Sequence, residues 1–194
     1  MNAPLILFLG KPGAGKGTQA ELLAKKTGFS LFKTSGGLRS LATERAHVGE
    51  KIVSAMTQGD LVPYWLVMHL WLGDILSHKE SEGIIIDGAV RRGEEAKLFS
   101  EVATWFERPY RVFFLDVTEE EMRSRIKKRA TIENRTDDNE ESLAQRMREY
   151  TEHTEPALTF FREQGTLITI PGEGSIEDVE TRVQEAFTKE LKNT

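Results

Sequence analysis

Leu5-Ile6-Leu7-Phe8-Leu9-Gly10-Lys11-Pro12-Gly13-Ala14-Gly15-Lys16-Gly17-Thr18-Gln19 sets the architecture before any other part of the chain is read. Five consecutive apolar residues suit a short strand buried on both faces. The glycine-rich turn after them leads into a helix that runs through Gln19, Leu22 and Leu23. In such a turn, glycines let successive backbone N–H groups converge on phosphate oxygens. The helix N-terminus adds its dipole, and the lysine, here Lys16, reaches the terminal phosphates. The hydroxyl that usually follows the lysine directly is displaced by one residue, because Gly17 intervenes before Thr18. Strand, loop and helix together predict a phosphate-binding loop.

Outward from this loop, short apolar runs alternate with amphipathic stretches. Ile84–Ile86, Val112–Leu115 and Leu167–Ile170 read as further buried strands, with a weaker one at Ser30–Phe32. Thr118-Glu119-Glu120-Glu121 reads as a capping box that opens one helix. Ser175-Ile176-Glu177-Asp178 opens the last helix, with Ile176, Val179, Val183, Ala186, Phe187 and Leu191 on one stripe. Leu61–Leu76 is the most apolar window, but Pro63, His69, Gly73 and Asp74 interrupt it, which predicts a buried helix rather than a membrane span. Alternation of this kind predicts an α/β protein: a doubly wound parallel sheet with helices on both faces and ligands at the carboxyl ends of its strands. No repeat, low-complexity tract or linker divides the 194 residues, so one domain is expected.

Composition removes several classes of function. With no cysteine, there is no disulfide scaffold, thiol nucleophile or iron–sulfur site, and zinc is not expected. Four scattered histidines, His47, His69, His78 and His153, show no ligand spacing. A net charge of −5 gives no sequence-wide basic footprint for nucleic acid. No basic segment precedes the first apolar run, and that run is too short to span a bilayer. A cytoplasmic monomer acting on small molecules is the expectation.

A phosphate loop alone does not fix the reaction. The Asn-Lys-x-Asp motif by which GTPases read guanine is absent, and a helicase or motor needs far more chain. Asp87 closes the run Ile84-Ile85-Ile86 and stands where a carboxylate holds magnesium, directly or through water.

These residues resemble a known family. Gly10–Gln19, in its Pro-Gly-x-Gly-Lys-Gly-Thr-Gln form, is similar to the phosphate loop of the adenylate kinase branch of the nucleoside monophosphate kinases. The likeness continues in order through Thr34 and Arg39, Gly59-Asp60-Leu61-Val62, Asp87-Gly88 with Arg91, and Asp116 to Arg129. It resumes at Arg135-Thr136-Asp137-Asp138-Asn139-Glu140-Glu141, Arg146 and Gly172-Glu173-Gly174-Ser175, and so covers nearly the whole chain.

The resemblance implies a single P-loop kinase domain over 1–194 with a five-stranded sheet. It also implies a monophosphate-binding insert at 33–62 and a short, zinc-free lid at 128–138. By the same resemblance, Gly13, Ala14, Gly15, Lys16, Gly17 and Thr18 cradle ATP, with Arg125 and Gly174 at its base and Arg129 on its phosphates. The acceptor monophosphate falls to Thr34, Arg39, Asp60, Leu61, Val62, Gly88, Ala89, Val90, Arg91 and Glu95, with Arg135 and Arg146 closing around it. Lys16, Arg91, Arg129, Arg135 and Arg146 are the expected catalytic cations, and Asp87 the magnesium residue.

Three departures stand out. Gly36 occupies a position where the family usually has an aspartate, and Ala89-Val90 follow Asp87-Gly88 where Phe-Pro is usual. Glu95 replaces a glutamine that reads the acceptor adenine. An ionised carboxylate offers acceptors only, which suits the two adjacent donors of guanine better than adenine. The expected reaction is ATP plus AMP to two ADP, reversibly and with magnesium. A kinase for another monophosphate, GMP foremost, and a degenerate nucleotide sensor are the alternatives.

Overall fold

A computed structural model describes residues 2–133 and 140–192, with side chains for all of these except 46, 129–133, 191 and 192. Five strands, β1 (Leu5–Gly10), β2 (Ser30–Lys33), β3 (Ile84–Asp87), β4 (Tyr110–Asp116) and β5 (Leu167–Pro171), form one parallel sheet in the order β2-β3-β1-β4-β5. The α/β class and all five strands predicted from sequence are present. Each strand extends past its apolar run, because ladder pairing continues beyond it. At the carboxyl edge the added residues are Gly10, Lys33, Asp87, Asp116 and Pro171. That edge therefore carries the chemistry.

Side-chain alternation along β1 divides the core. Leu5, Leu7 and Leu9 face one side, while Ile6 and Phe8 face the other. Against the second face pack α1 (Lys16–Thr27), α6 (Glu119–Glu133) and α9 (Ile176–Lys192), through Leu23, Met122, Ile126, Val179 and Val183. The first face takes α4 (Tyr64–Ser77), α5 (Gly93–Trp105) and α8 (Glu155–Glu163). Trp71 of α4 meets Phe99 of α5 edge to face at 5.5 Å, and Tyr110 continues the stack. The pair α2 (Thr34–Glu44) and α3 (Ala46–Gln58) packs largely on itself beside β2. After α7 (Glu140–Glu149), a single π-helical turn at Tyr150–Thr154 runs straight into α8. Such a turn inserts one residue per cycle and often marks a functional site.

Three local expectations need correction. The apolar window at Leu61–Leu76 is not one buried helix. Pro63 holds the chain extended, α4 begins at Tyr64, and within α4 only Leu66, Val67, Trp71 and Ile75 are buried, while Trp65 and Leu76 lie exposed. The box at Thr118 is half formed. Glu121 N–H donates to Thr118 Oγ1 at 3.3 Å, but the Glu121 carboxylate turns to Arg125, and Glu173 accepts from Thr118 N–H instead. The box at Ser175 is complete, with reciprocal bonds between Ser175 and Asp178 at 3.0 and 3.1 Å. Ile176 nevertheless points to solvent, and Leu191 lies outside the described side chains.

Candidate active site

The carboxyl ends of β1, β2 and β3 open into a cleft of about 760 Å³. The phosphate loop forms its floor. Gly15 sits at φ 91° as the N-cap of α1, a left-handed conformation that favours glycine and turns the loop into the helix. Lys16 Nζ donates to the carbonyls of Gly10 at 2.9 Å and Lys11 at 2.7 Å, which holds the ammonium over the loop. A Cβ at Gly17 would stand 3.2 Å from Asp87 Oδ2, so a bare residue at this position lets the β3 carboxylate approach the helix start. Thr18 is exposed in the same cleft.

Arg125 of α6 ties this floor to the far wall. Its guanidinium donates to Ala14 O at 3.4 Å and to Gly174 O at 3.3 Å, while Glu121 holds it at 2.7 Å. Thus the three places expected around the donor nucleotide, the loop, Arg125 and Gly174, adjoin one another. Lys11 adds a second tether, donating to Val117 O at 2.8 Å.

Burial raises Asp87 above the usual aspartate range, and Lys16, Arg91 and Lys33, in that order, pull it back. Arg91 donates through Nε to Gly88 O at 2.9 Å. Burial lowers its pKa, while Asp87 and Glu95 favour its charge and Arg146 opposes it. Arg91 and Arg146 therefore face a shared space. Thr34 Oγ1 is buried there with no hydrogen-bond partner among the described residues. Asp60, Leu61 and Val62 line the wall beside α4, and Asp60 accepts from Gln145 of α7 at 2.7 Å.

Glu95 is the main surprise. It is 2% exposed, not the solvated helix-start residue its place in the sequence suggests. Its Oε2 accepts from Arg91 N–H at 2.8 Å and its Oε1 from the Trp71 indole at 3.4 Å. Burial raises its pKa, against the Arg91 and Val90 amides, Trp71 and the Arg91 charge. Each oxygen thus already accepts one protein hydrogen bond, which fixes the carboxylate against Arg91 and Trp71 and competes with a bidentate grip on guanine.

Most expected site residues meet in this cleft, but not all. Arg39 lies exposed on α2, and Ala89 is fully buried; neither lines the cleft. The Arg129 side chain and all of Arg135 lie outside the described residues. The sequence reading missed Lys33, Glu21, Arg92, Glu149 and Tyr150, all of which line the cleft. Lys33 and Arg92 directly adjoin Thr34 and Arg91, and that adjacency was the available signal. Burial first, then Glu155, pushes the Tyr150 hydroxyl up to about 12, so it stays protonated. Among the described residues, no group of three or more His, Cys, Asp or Glu could hold a metal ion, and no helix is long and apolar enough to cross a membrane.

Comparison with known proteins agrees with this geometry. The adenylate kinase family model matches residues 8–166. An adenylate kinase of Thermus thermophilus is 37% identical over 186 residues, covering 94% of this chain and 96% of that protein. One from Leptospira biflexa is 35% identical over 175 residues, covering 90% and 94%. Human adenylate kinase isoenzyme 1 is 34% identical over 188 residues, covering 92% and 91%. A family match over most of the chain, relatives matched nearly end to end, and a phosphate loop facing a cationic cleft lead to one conclusion: the chain belongs to the adenylate kinase family.

Proposed function

We propose that this cleft holds ATP on the phosphate loop and AMP against Arg91 and Arg146, and that Asp87 would help to hold the magnesium that accompanies ATP. The chain is an ATP:AMP phosphotransferase; the γ-phosphoryl group of ATP passes to AMP and two ADP result, reversibly. The observation that carries the assignment of roles is the convergence of Lys16, Asp87, Arg91 and Arg146 on one cleft at the strand ends. In-line transfer needs little covalent help from a protein. It needs two polyanions held in line and the charge of the moving group offset.

Lys16 supplies that charge at the loop, leaving the Gly10 and Lys11 carbonyls for the phosphates. Arg91 and Arg146 present forked donors to the acceptor phosphate. The π-helical turn after α7 brings Tyr150 to the same wall. We read 33–62 as the acceptor-binding segment and 128–138 as the lid. Arg39, Arg129 and Arg135 remain in their expected roles on the resemblance alone. Asp87 fits magnesium: it is a hard oxygen donor that the bare Gly17 leaves room to approach, and a single carboxylate plus substrate phosphates is this ion's usual setting. When bound, the ion neutralises phosphate charge. We further read the protein as a cytoplasmic monomer that takes small nucleotides and no nucleic acid, consistent with its net charge of −5.

ADP formation from ATP and AMP, by the unmodified chain and by Lys16→Met, tests the assignment. The variant should melt like the unmodified protein and lose about 100- to 1000-fold in kcat, the scale of losing one preorganised charge contact. A kcat within about threefold of the unmodified enzyme would remove Lys16, and this use of the cleft, from the account.

A further inference from the structure

Lys33 is the last residue of β2 and pairs in the parallel register with Asp87, the last residue of β3. Neighbouring strands place such residues about 4.8 Å apart, so a lysine and an aspartate leave the sheet side by side at the floor of the cleft. The Lys33 side chain lines that cleft and its charge acts on Asp87, as that of Lys16 does. Its hydrogen-bond partner is Glu21 of α1, which also borders the cleft.

That pairing is a weak hold. The two side chains are 39% and 56% exposed, and ion pairs so open to water contribute little. An ammonium group on a phosphate in a cleft makes a much stronger, charge-assisted contact. Gly36, on the next turn, puts no side chain over the lysine: a Cβ there would meet the Cβ of Lys33, at 3.7 Å. The flexible four-carbon stem can then carry the ammonium from Glu21 toward the space between the loop and Asp87.

We propose that Lys33 is a further catalytic residue of the phosphoryl transfer: its ammonium group leaves Glu21 when both nucleotides bind and donates to an oxygen of the moving phosphoryl group, beside Asp87 and Lys16. The assignment rests on the reading of this cleft as the transfer site. In the step itself, the bond from phosphorus to the acceptor's phosphate oxygen forms as the bond to the ADP leaving oxygen breaks. Lys33 keeps its protons throughout and only offsets charge.

The test compares Lys33→Gln, Lys33→Arg and Glu21→Gln for ADP formation at saturating ATP and AMP. Calorimetry in EDTA then measures binding of an analogue that joins two adenosines through five phosphates, so that one readout is independent of magnesium and of turnover. Lys33→Gln should lower kcat about 10- to 100-fold with both KM values within about threefold, and weaken the analogue about tenfold. Lys33→Arg should restore kcat to within about threefold of the unmodified enzyme, because the positive charge is what matters. Glu21→Gln should lose much less than Lys33→Gln, because it leaves the ammonium group in place. Lys33→Gln with kcat within about twofold overturns the proposal, and so does a loss in Glu21→Gln equal to that in Lys33→Gln, which would make the pair structural. Lys16→Met separates the two layers: inactive alongside a fully active Lys33→Gln, it leaves the cleft assignment standing and removes Lys33 alone.

Discussion

The proposed donor and acceptor sides of the cleft are built from different materials. On the donor side the backbone makes the site: Gly15 turns the chain into α1, and the loop is braced by Lys11 on Val117 O and by Arg125 between Ala14 O and Gly174 O. On the acceptor side, side chains hold side chains. Glu95 takes the Trp71 indole and the Arg91 amide, Arg91 is turned by Gly88 O, and Asp60 leans on Gln145. A backbone-built site depends on glycines at fixed spacing, so it leaves a motif in the sequence. One built of side chains can be altered one residue at a time, and it leaves only scattered positions.

The largest effect that would break this contrast is on the acceptor side. Arg91→Ala should reduce kcat/KM for AMP about 100-fold or more while changing KM for ATP less than about threefold, since a charge-assisted phosphate contact is lost at one nucleotide only. Equal losses for both nucleotides in initial-rate kinetics would show that the two sides are not separable.

Glu95→Ala should come next, as a loss of stability. It leaves two buried donors, the Arg91 amide and the Trp71 indole, unmatched and opens a cavity beside them. The expected cost is about 1–3 kcal/mol, a Tm lower by several degrees in calorimetry. Glu95→Gln keeps the shape but turns an NH2 toward one of those donors, so it too should melt lower and should not improve the use of AMP. A gain in AMP efficiency without loss of Tm would mean that Glu95 reads the base rather than staples α4 to α5.

Asp87→Asn sharpens the comparison by pH. Because burial raises the Asp87 pKa, the folded state binds that proton more tightly than the unfolded chain does. Ionisation therefore costs stability, and the cost grows as pH rises from the ordinary aspartate value through the raised one. Asp87→Asn should thus lose magnesium-dependent activity yet melt a few degrees higher at neutral pH, with the gain disappearing in acid below the ordinary aspartate range. A lower Tm at neutral pH would show that the cations around Asp87 outweigh its burial. Arg125→Ala, the mildest case, should raise KM for ATP about three- to tenfold and leave the acceptor side unchanged, because the other brace, Lys11 on Val117 O, and the glycine loop itself remain.

What could be read from the sequence follows the same division. The strand, turn and helix at Leu5–Gln19 were plain because apolar run, glycine spacing and lysine are all local. The five-stranded sheet was legible for a similar reason, since strands covered on both faces are continuous apolar runs. Glu95 was not legible as a buried group: Glu94 and Lys97 flank it with charge, and its burial comes from Trp71, on another helix. Lys33 was hidden by distance along the chain. Its neighbour Asp87 is brought beside it only by the order β2-β3-β1-β4-β5. The apolar window at Leu61–Leu76 misled because apolar content does not say which face is covered, and Trp65 and Leu76 stay exposed.

Transfer of a phosphoryl group from ATP to AMP, with Glu95 held by Arg91 and Trp71, is tested most directly by initial rates of ADP formation from ATP and magnesium with AMP, GMP, CMP or UMP as acceptor. AMP should exceed each of the others by about tenfold or more in kcat/KM, on the order of 1.4 kcal/mol at the acceptor base. A higher kcat/KM for GMP, reversed in Glu95→Gln, would contradict it.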